Sequence, residues 1–255
     1  MTESYMNKLK TTFEDGKNQI TKVVSDVNAE LTKTAQNNNI NSPLPADFAS
    51  EVTKAANILN CFTDPEKTEG GLEHVIPKEV FDKAKGLAIF TVVKAGFVWS
   101  GRVGSGLVIS KLEDGYWSLP SCISIGGVGF GPQFGADVTD FLIVLNTKEA
   151  VKAFSHGENE VYLVITAGPL GFGGEVSGSV YDGAALFSYS KSKGLFAGVS
   201  LEGTIIFERK DANHKFYEKE ISAEALLTAK PASHPPATHV LYEAIRKAEE
   251  RQPKH

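Results

Sequence analysis

The sequence has little cysteine and no long apolar run. Its 255 residues include two cysteines, Cys61 and Cys122, which lie far apart and not in a CxxC spacing. This usage, together with the absence of an apolar leader at the start, is typical of a reducing compartment and predicts a cytoplasmic protein. No apolar stretch approaches the roughly 18 residues that span a bilayer, so any membrane contact is expected to be peripheral.

The chain also lacks an excess of positive charge. Its formal net charge is −5 and its pI is about 5.7. A general nucleic-acid binder needs a basic face that neutralises phosphates, so we expect no nucleic-acid partner. With 42% hydrophobic and 22% charged residues the composition is that of a globular protein. Anion binding would therefore depend on local basic patches.

Enzyme motifs are missing or incomplete. The glycines of residues 101–106 stand in GxxGxG order, the reverse of the dinucleotide fingerprint, and no GxxxxGK[ST] is present. Neither a complete GxSxG nor an HExxH occurs, so we expect no cofactor and no metal. Asp137 and Asp140 are an acid–base pair or, as we favour, hydrogen-bonded carboxylates at the entry of a strand. The sequence predicts a protein without catalytic activity.

What the chain does contain is a basic, glycine-rich stretch at residues 83–112. No acid lies between Asp82 and Glu113, and a second acid-free region lies between Asp182 and Glu202. Side by side, the two regions would form an anion-binding surface. The alternative is a hydrophobic strand pair with ordinary solvated lysines. The seven cations concerned are Lys83, Lys85, Lys94, Arg102, Lys111, Lys191 and Lys193.

Helical patterns occupy both ends of the chain. Residues 1–36 carry apolar residues at helical spacing and predict an amphipathic helix that packs on the core or self-associates. Residues 37–46 read as a linker, after which Asp47 is expected to cap a second helix that runs to Phe62. Further helices are predicted at 78–85, with Gly86 as its stop, at 148–156, with Asn146 as its cap, and from 211, at 223–229 and at 238–250.

Strand patterns fill the middle of the chain without a βαβ alternation. Asp114-Gly115 predicts a type I′ hairpin turn, and residues 191–194 predict another turn. The fold class is therefore α+β, with a curved, mostly antiparallel, barrel- or clam-like sheet and flanking helices. The predicted strands are 87–94, 97–102, 106–112, 116–117, 121–135, 138–145, 161–166, 174–180, 184–189, 195–200 and 204–209.

Several segments resemble the SYLF-domain family, in unbroken order from about Pro45 to the C-terminal helix. The most specific are Ser-Gly-Arg-Val-Gly-Ser-Gly at 100–106 and Tyr-Ser-Lys-Ser-Lys-Gly-Leu-Phe-Ala-Gly-Val at 189–199. Ala-Lys-Gly-Leu-Ala-Ile at 84–89, Asp-Gly-Tyr-Trp-Ser at 114–118 and Thr-Ala-Gly-Pro-Leu-Gly at 166–171 agree as well. We therefore expect one SYLF-like domain at 47–251, with a short tail at 252–255.

The resemblance implies a non-catalytic module that binds phosphoinositide-containing membranes and, in fungal members, actin filaments at cortical endocytic sites. Lipid binding in the family is attributed to a lysine-rich helix at the start of the domain. The matching segment here, 47–62, has a single lysine, Lys54, which joins the seven cations as a candidate lipid or anion contact. Many members also carry an SH3 domain, which we do not expect in this chain.

Two other functions stay open from the sequence. One is a small-ligand carrier or enzyme that uses a cavity inside the curved sheet. The other is an actin-binding protein without a lipid role.

Overall fold

The computed structural model describes residues 41–66, 75–155, 161–168 and 186–251; for 132–133, 155, 161–168 and 193–203 the description is of the backbone alone. The predicted helix at 1–36 and the predicted strand at 174–180 lie outside these residues. None of the described helices is both long enough and apolar enough to span a bilayer.

Four antiparallel strands form the sheet among the described residues. They are β1 (Gly86–Ser110), β2 (Ser121–Leu145), β3 (Val161–Gly168) and β4 (Leu186–Glu208), in the order β1-β2-β4-β3. The α+β antiparallel prediction is confirmed. The residues predicted as short strands within β1, β2 and β4 are strand, but the breaks predicted between them were wrong, because each of these is one continuous strand. The turn predicted at 191–194 is wrong for the same reason, since those residues pair with β2 throughout.

The sheet is folded over on itself, which makes it clam-like. In β1 the two halves of the strand approach so closely that a Cβ on Gly106 would lie 2.1 Å from the Ile89 carbonyl oxygen, and one on Gly104 would lie 2.6 Å from that of Thr91. The fold line falls near Val98, whose φ is +61°, where the β1–β2 register shifts. Glycine is needed at 104 and 106 because any side chain there would separate the layers.

Six helices flank the sheet in the part of the chain that the structure describes. They are α1 (Phe48–Thr63), α2 (Lys78–Asp82), α3 (Lys148–Ser155), α4 (Lys210–Tyr217), α5 (Ala223–Thr228) and α6 (His239–Glu249), the last preceded by a 3-10 turn at Pro236–Thr238. The α1 prediction is confirmed, including its cap: the Ser50 amide donates to the Asp47 carboxylate at 2.9 Å. Two other helix ends were predicted wrongly. Helix α2 ends at Asp82, and Gly86, which was predicted to stop it, is instead the first residue of β1. At the start of α3 the Ala150 amide donates to the Thr147 hydroxyl, so Thr147 and not Asn146 is the capping side chain.

Helix α1 is the centre of the larger core. Its buried side packs against β1, β2 and α6, and the Phe48 ring stacks on Phe216 with centroids 3.9 Å apart, while Ala49, Ser50, Thr53 and Asn57 form an exposed stripe on the other side. Fully burying an aliphatic or aromatic side chain stabilises a fold by roughly 1.5–3 kcal/mol, so this helix contributes heavily. The fully buried apolar residues of α1 are Val52, Ala55, Ala56, Ile58 and Leu59.

The connection between β1 and β2 turns at Gly115, as predicted, but not as a type I′ turn. Gly115 has a φ of +83°, whereas Asp114 is not among the residues with positive φ. The Gly115 amide donates to the Leu112 carbonyl at 3.0 Å, and the Leu112 amide donates to that of Tyr116 at 2.8 Å. A glycine with positive φ after the central turn residues is the pattern of a longer hairpin loop.

Candidate anion-binding site

A groove rich in lysine lies where both ends of the folded β1 meet. The Lys111 amide donates to the Lys85 carbonyl at 2.8 Å, which holds the two ends of the strand together. Residues of the β1–β2 loop, α3 and α5 complete the walls, and the groove has a volume of about 610 Å³. Its lining includes five lysines and three acids: Lys85, Lys111, Lys148, Lys152, Lys230, Glu113, Asp114 and Glu224.

Lys148, Lys230 and Lys111 of the groove each form an ion pair. Lys148 pairs with Glu113, and Lys230 pairs with Asp114 at 2.7 Å while its Nζ lies 3.7 Å from the centre of the Tyr116 ring. Hydrogen bonds from these lysines hold the pKa values of Glu113 and Asp114 below their usual range and raise those of Lys148 and Lys230. All four groups are therefore charged at neutral pH.

The third pair joins Lys111 to Glu249 of α6 at 2.7 Å. The same carboxylate oxygen accepts from the Trp117 indole at 3.2 Å, which ties α6 to the loop. Glu249 lies outside the lining and offsets one of its cations, so the excess of positive charge in the groove is small. A multivalent anion could bind the lysines of the exposed pairs in place of their carboxylate partners. The loss of those pairs would cost little, because an exposed ion pair stabilises a fold by only about 0–1 kcal/mol.

Of the eight cations singled out from the sequence, two line this groove: Lys85, which is exposed, and Lys111. Lys83 is also exposed and lies two residues before Lys85, at the end of α2. The other five lie elsewhere in the fold.

Lys54 lies inside the core and not on a surface. Its Nζ donates to the Ser105 hydroxyl at 2.8 Å and to the carbonyls of Ser105 and Ser42 at 3.0 Å, and it pairs with Glu51 at 2.7 Å. Burial lowers the pKa of Lys54, partly offset by the charge of Glu51. Lys54 lies on the buried side of α1, so the one lysine of this helix links it to β1 instead of projecting outward.

Lys94 and Lys191 lie in the middle of the sheet, on either side of acids of β2. Lys94 is buried and pairs in register with Asp137, and the half-buried Lys191 pairs in register with Asp140. Directly opposite residues of opposite charge attract one another across an antiparallel ladder. The absence of acids along the sequence around these lysines therefore does not leave them in an acid-free environment.

Arg102 and Lys193 also pair with β2. Arg102 is half-buried, and its guanidinium donates to the Thr204 hydroxyl at 3.4 Å. The backbone of Lys193 pairs with Val138, and its side chain lies outside the description. The structure therefore brings Lys85 and Lys111 together, and places Lys94, Arg102, Lys191 and Lys193 along the strands away from the groove.

The groups considered for catalysis have structural partners. Asp140 accepts hydrogen bonds from Thr91 at 2.6 Å and from Asn41 at 2.7 Å, and Asp137 accepts from Thr139 at 2.7 Å. Burial raises the pKa of the Cys122 thiol well above its usual range, which disfavours the reactive thiolate. Among the described residues, no three histidine, cysteine, aspartate or glutamate side chains are grouped to hold a metal ion.

Comparison with known proteins identifies the domain. The model of a family described as "Ysc84: Las17-binding protein actin regulator" matches residues 126–248. Residues 126–248 belong to the Ysc84 (SYLF) domain family. The match begins in β2 and ends in α6, so the SYLF resemblance found in the sequence is confirmed.

Named relatives of the Ysc84 domain come from fungi and mammals. An SH3 domain-containing protein of Schizosaccharomyces pombe is 49% identical over 217 residues, which are 81% of this chain and 50% of that protein. LAS seventeen-binding protein 3 of Saccharomyces cerevisiae is 46% identical, over 81% of this chain and 46% of its own length. Human SH3 domain-containing YSC84-like protein 1 is 46% identical, over 76% of this chain and 58% of its own length.

The chain spans about half the length of the fungal relatives it matches. No solved structure matches it.

Three lysines of the groove were not found by reasoning from the sequence. Lys148 and Lys152 are four residues apart on α3, a spacing that places both on one helix face and could have drawn attention to them. Lys230 follows α5 and is distant from the others in sequence, so no local pattern marks it. Only the packing of this Ysc84 domain brings the three together.

Proposed function

We propose that this chain is a non-catalytic adaptor that links phosphoinositide-containing membrane to actin filaments and their regulators at the cell cortex. The observation that carries the proposal is the lysine groove between the β1 ends, α3 and α5. Phosphates and acidic protein segments are both recognised by clustered cations. The family description, which names an actin regulator, supports the cytoskeletal half of this assignment.

An actin-regulatory protein of the Las17 type is the second proposed partner. It rests on the names of the relatives and on the family description, both of which refer to Las17 binding. The candidate surface for an acidic segment is again the groove. The alternative of a ligand-carrying or enzymatic cavity is not favoured, because the groove is open and the buried Cys122 thiol and the two β2 carboxylates already have structural roles.

The test uses a charge reversal in the groove with a matched control. Lys85→Glu/Lys152→Glu changes two groove lysines, and Lys215→Glu/Lys219→Glu makes the same change in charge at two exposed lysines outside the groove. We expect the first variant, and not the second, to lose F-actin pelleting or phosphoinositide-dependent co-sedimentation with vesicles. Equal binding by the two variants in both assays would remove the groove from the proposal.

Running each assay alone separates the halves of the adaptor. Filaments pelleted without lipid test actin binding, and vesicles without actin test membrane binding. Pelleting of filaments together with a lack of vesicle binding would leave an actin-binding protein with no lipid role.

A further inference from the structure

The fold line of the sheet carries an exposed cluster of large apolar side chains. We call it the aromatic crest: Phe97, Val98, Trp99, Val128, Phe130 and Phe134. Its members belong to β1 and β2 and meet as cross-strand pairs, Phe97 with Phe134 and Trp99 with Phe130, at ring-centroid distances of 6.2 and 4.6 Å. Phe97 is 73% exposed, Trp99 64% and Phe134 63%, so the rings contact one another, edge to face in the Phe97–Phe134 pair and tilted in the Trp99–Phe130 pair, without being buried.

The contacts among the described residues do not account for large apolar side chains at this place. A contiguous apolar surface on a soluble domain is a mark of an interaction site. The fold line also holds Val98 at a φ of +61°, a conformation that is rare for a β-branched residue and that glycine would adopt without strain. Strain retained at an exposed turn, next to aromatic side chains that the core does not use, indicates a surface kept for binding.

The strands at the fold line carry no charge. No charged residue occurs at 95–101 of β1, at 121–136 of β2, or at 194–201 of β4, which pairs with this part of β2. A protein partner is normally met by an apolar centre with a polar and charged rim. Tryptophan and phenylalanine on an uncharged protrusion match instead the boundary between headgroups and acyl chains, where aromatic rings are enriched.

We propose that the aromatic crest inserts into the headgroup–acyl boundary of a lipid bilayer. The proposal rests on the membrane half of the proposed function and assigns the surface that performs it. Insertion by about 5–10 Å is enough to cover the exposed rings. It would be largely independent of phosphoinositide, since the crest has no cation to recognise a phosphate.

The position of the crest also determines which way the lysine groove faces. Twelve residues separate Lys85 from Phe97 in one layer of β1, a strand path of up to about 40 Å. The crest and the groove therefore lie at opposite ends of the folded sheet. With the crest in a membrane, the groove points away from that membrane, so in this arrangement it serves the acidic protein partner of the proposed function and not phosphoinositide in the same bilayer.

The experiment uses Trp99 as its own reporter. The chain has two tryptophans, and Trp117 is 6% exposed, so a change in fluorescence on vesicle binding comes from Trp99. Vesicles of phosphatidylcholine brominated on the acyl chains, with and without phosphatidylinositol bisphosphate, are expected to quench that emission. Trp99→Phe keeps an aromatic ring and should lose the quenching while it retains co-sedimentation.

A double variant tests whether the crest supplies the binding. Trp99→Ser/Phe130→Ser should weaken vesicle co-sedimentation by at least about tenfold, the scale expected for removing a buried aromatic side chain. Its melting temperature should not fall, because both side chains are exposed. Lys215→Glu/Lys219→Glu serves as a control for exposed substitutions elsewhere.

The remaining outcomes overturn the inference in distinguishable ways. Phosphoinositide-dependent binding that is unchanged in Trp99→Ser/Phe130→Ser, without quenching, refutes crest insertion and leaves the proposed function intact. Absence of any vesicle binding by the wild type refutes both. A wild-type dimer that this variant dissociates, again without quenching, assigns the crest to contact with a second copy of the chain.

Discussion

Replacing Gly106 by alanine tests whether the two layers of the sheet are in direct contact. The added Cβ would lie 2.1 Å from the Ile89 carbonyl oxygen and 2.4 Å from the Phe90 Cβ. The obstacle at Ile89 is backbone, and Ile89 is paired in register with Leu142 of β2. The clash can therefore be relieved only by moving a strand that is already held in a ladder.

The magnitude follows from that geometry. Overpacking a well-filled interior costs about 1–3 kcal/mol and occasionally more, and a clash with backbone belongs at the upper end. Alanine also reduces the conformational freedom of the unfolded chain, which returns about 0.4–1 kcal/mol. We expect Gly106→Ala to lower the free energy of unfolding by about 3 kcal/mol, and Gly104→Ala, at 2.6 Å from the Thr91 oxygen, by somewhat less.

Two other glycines provide matched controls in a urea-unfolding series. A Cβ on Gly126 would meet only the end of the Phe207 ring, at 3.4 Å, so Gly126→Ala should stay within about 0.5 kcal/mol of the wild type. Gly115 has open space around it but a φ of +83°, so Gly115→Ala should cost about 1 kcal/mol for its conformation alone. If Gly106→Ala were no more destabilising than Gly126→Ala, the sheet would not be folded as described.

Two further predictions concern the buried polar groups. Lys54→Met leaves the fully buried Glu51 without its closest cation and should lower the free energy of unfolding in urea by about 3–5 kcal/mol. Glu51→Gln/Lys54→Met should recover most of that free energy. A double variant no more stable than Lys54→Met would contradict this reasoning. Burial raises the pKa values of Tyr217 and Tyr242, so above about pH 10 the unfolded chain binds fewer protons than the folded one and stability falls as pH rises. Tyr242→Phe removes a hydrogen bond to the Ser118 carbonyl and should be about 1 kcal/mol less stable than the wild type at pH 7. At pH 11 this difference should shrink or reverse, because the variant lacks the tyrosine whose titration destabilises the wild type. A difference in stability that is independent of pH would refute the reasoning.

Local patterns predicted the element types well and their continuity poorly. The capped helix after Asp47 was predictable because capping and apolar spacing both depend on neighbours in sequence. The long strands were not, because glycines that usually end a strand serve in β1 to let its two halves touch. Only knowledge of the partner layer distinguishes these uses of glycine.

The candidate site shows the same limit more sharply. Lys85 and Lys111 are 26 positions apart in the sequence, and the folding of β1 brings them to one groove, which the acid-free stretch around them pointed to. The cations that complete the groove come from α3 and the segment after α5, which the stretch does not include. The β1 half of the aromatic crest is visible in the sequence as Phe97-Val98-Trp99, but these residues were interpreted as part of a hydrophobic strand pair and not as an exposed surface.

The charges of the middle of the sheet explain why the two ends of the domain differ so strongly. Asp137 and Asp140 lie on β2, between Lys94 of β1 and Lys191 of β4, so these two lysines are balanced across the ladders. Beyond these pairs, the uncharged crest lies at one end of the sheet and the lysine groove at the other. The proposed adaptor, with one surface for lipid and another for an acidic protein, depends on this separation, because a basic central face would bind either partner and leave the orientation undefined.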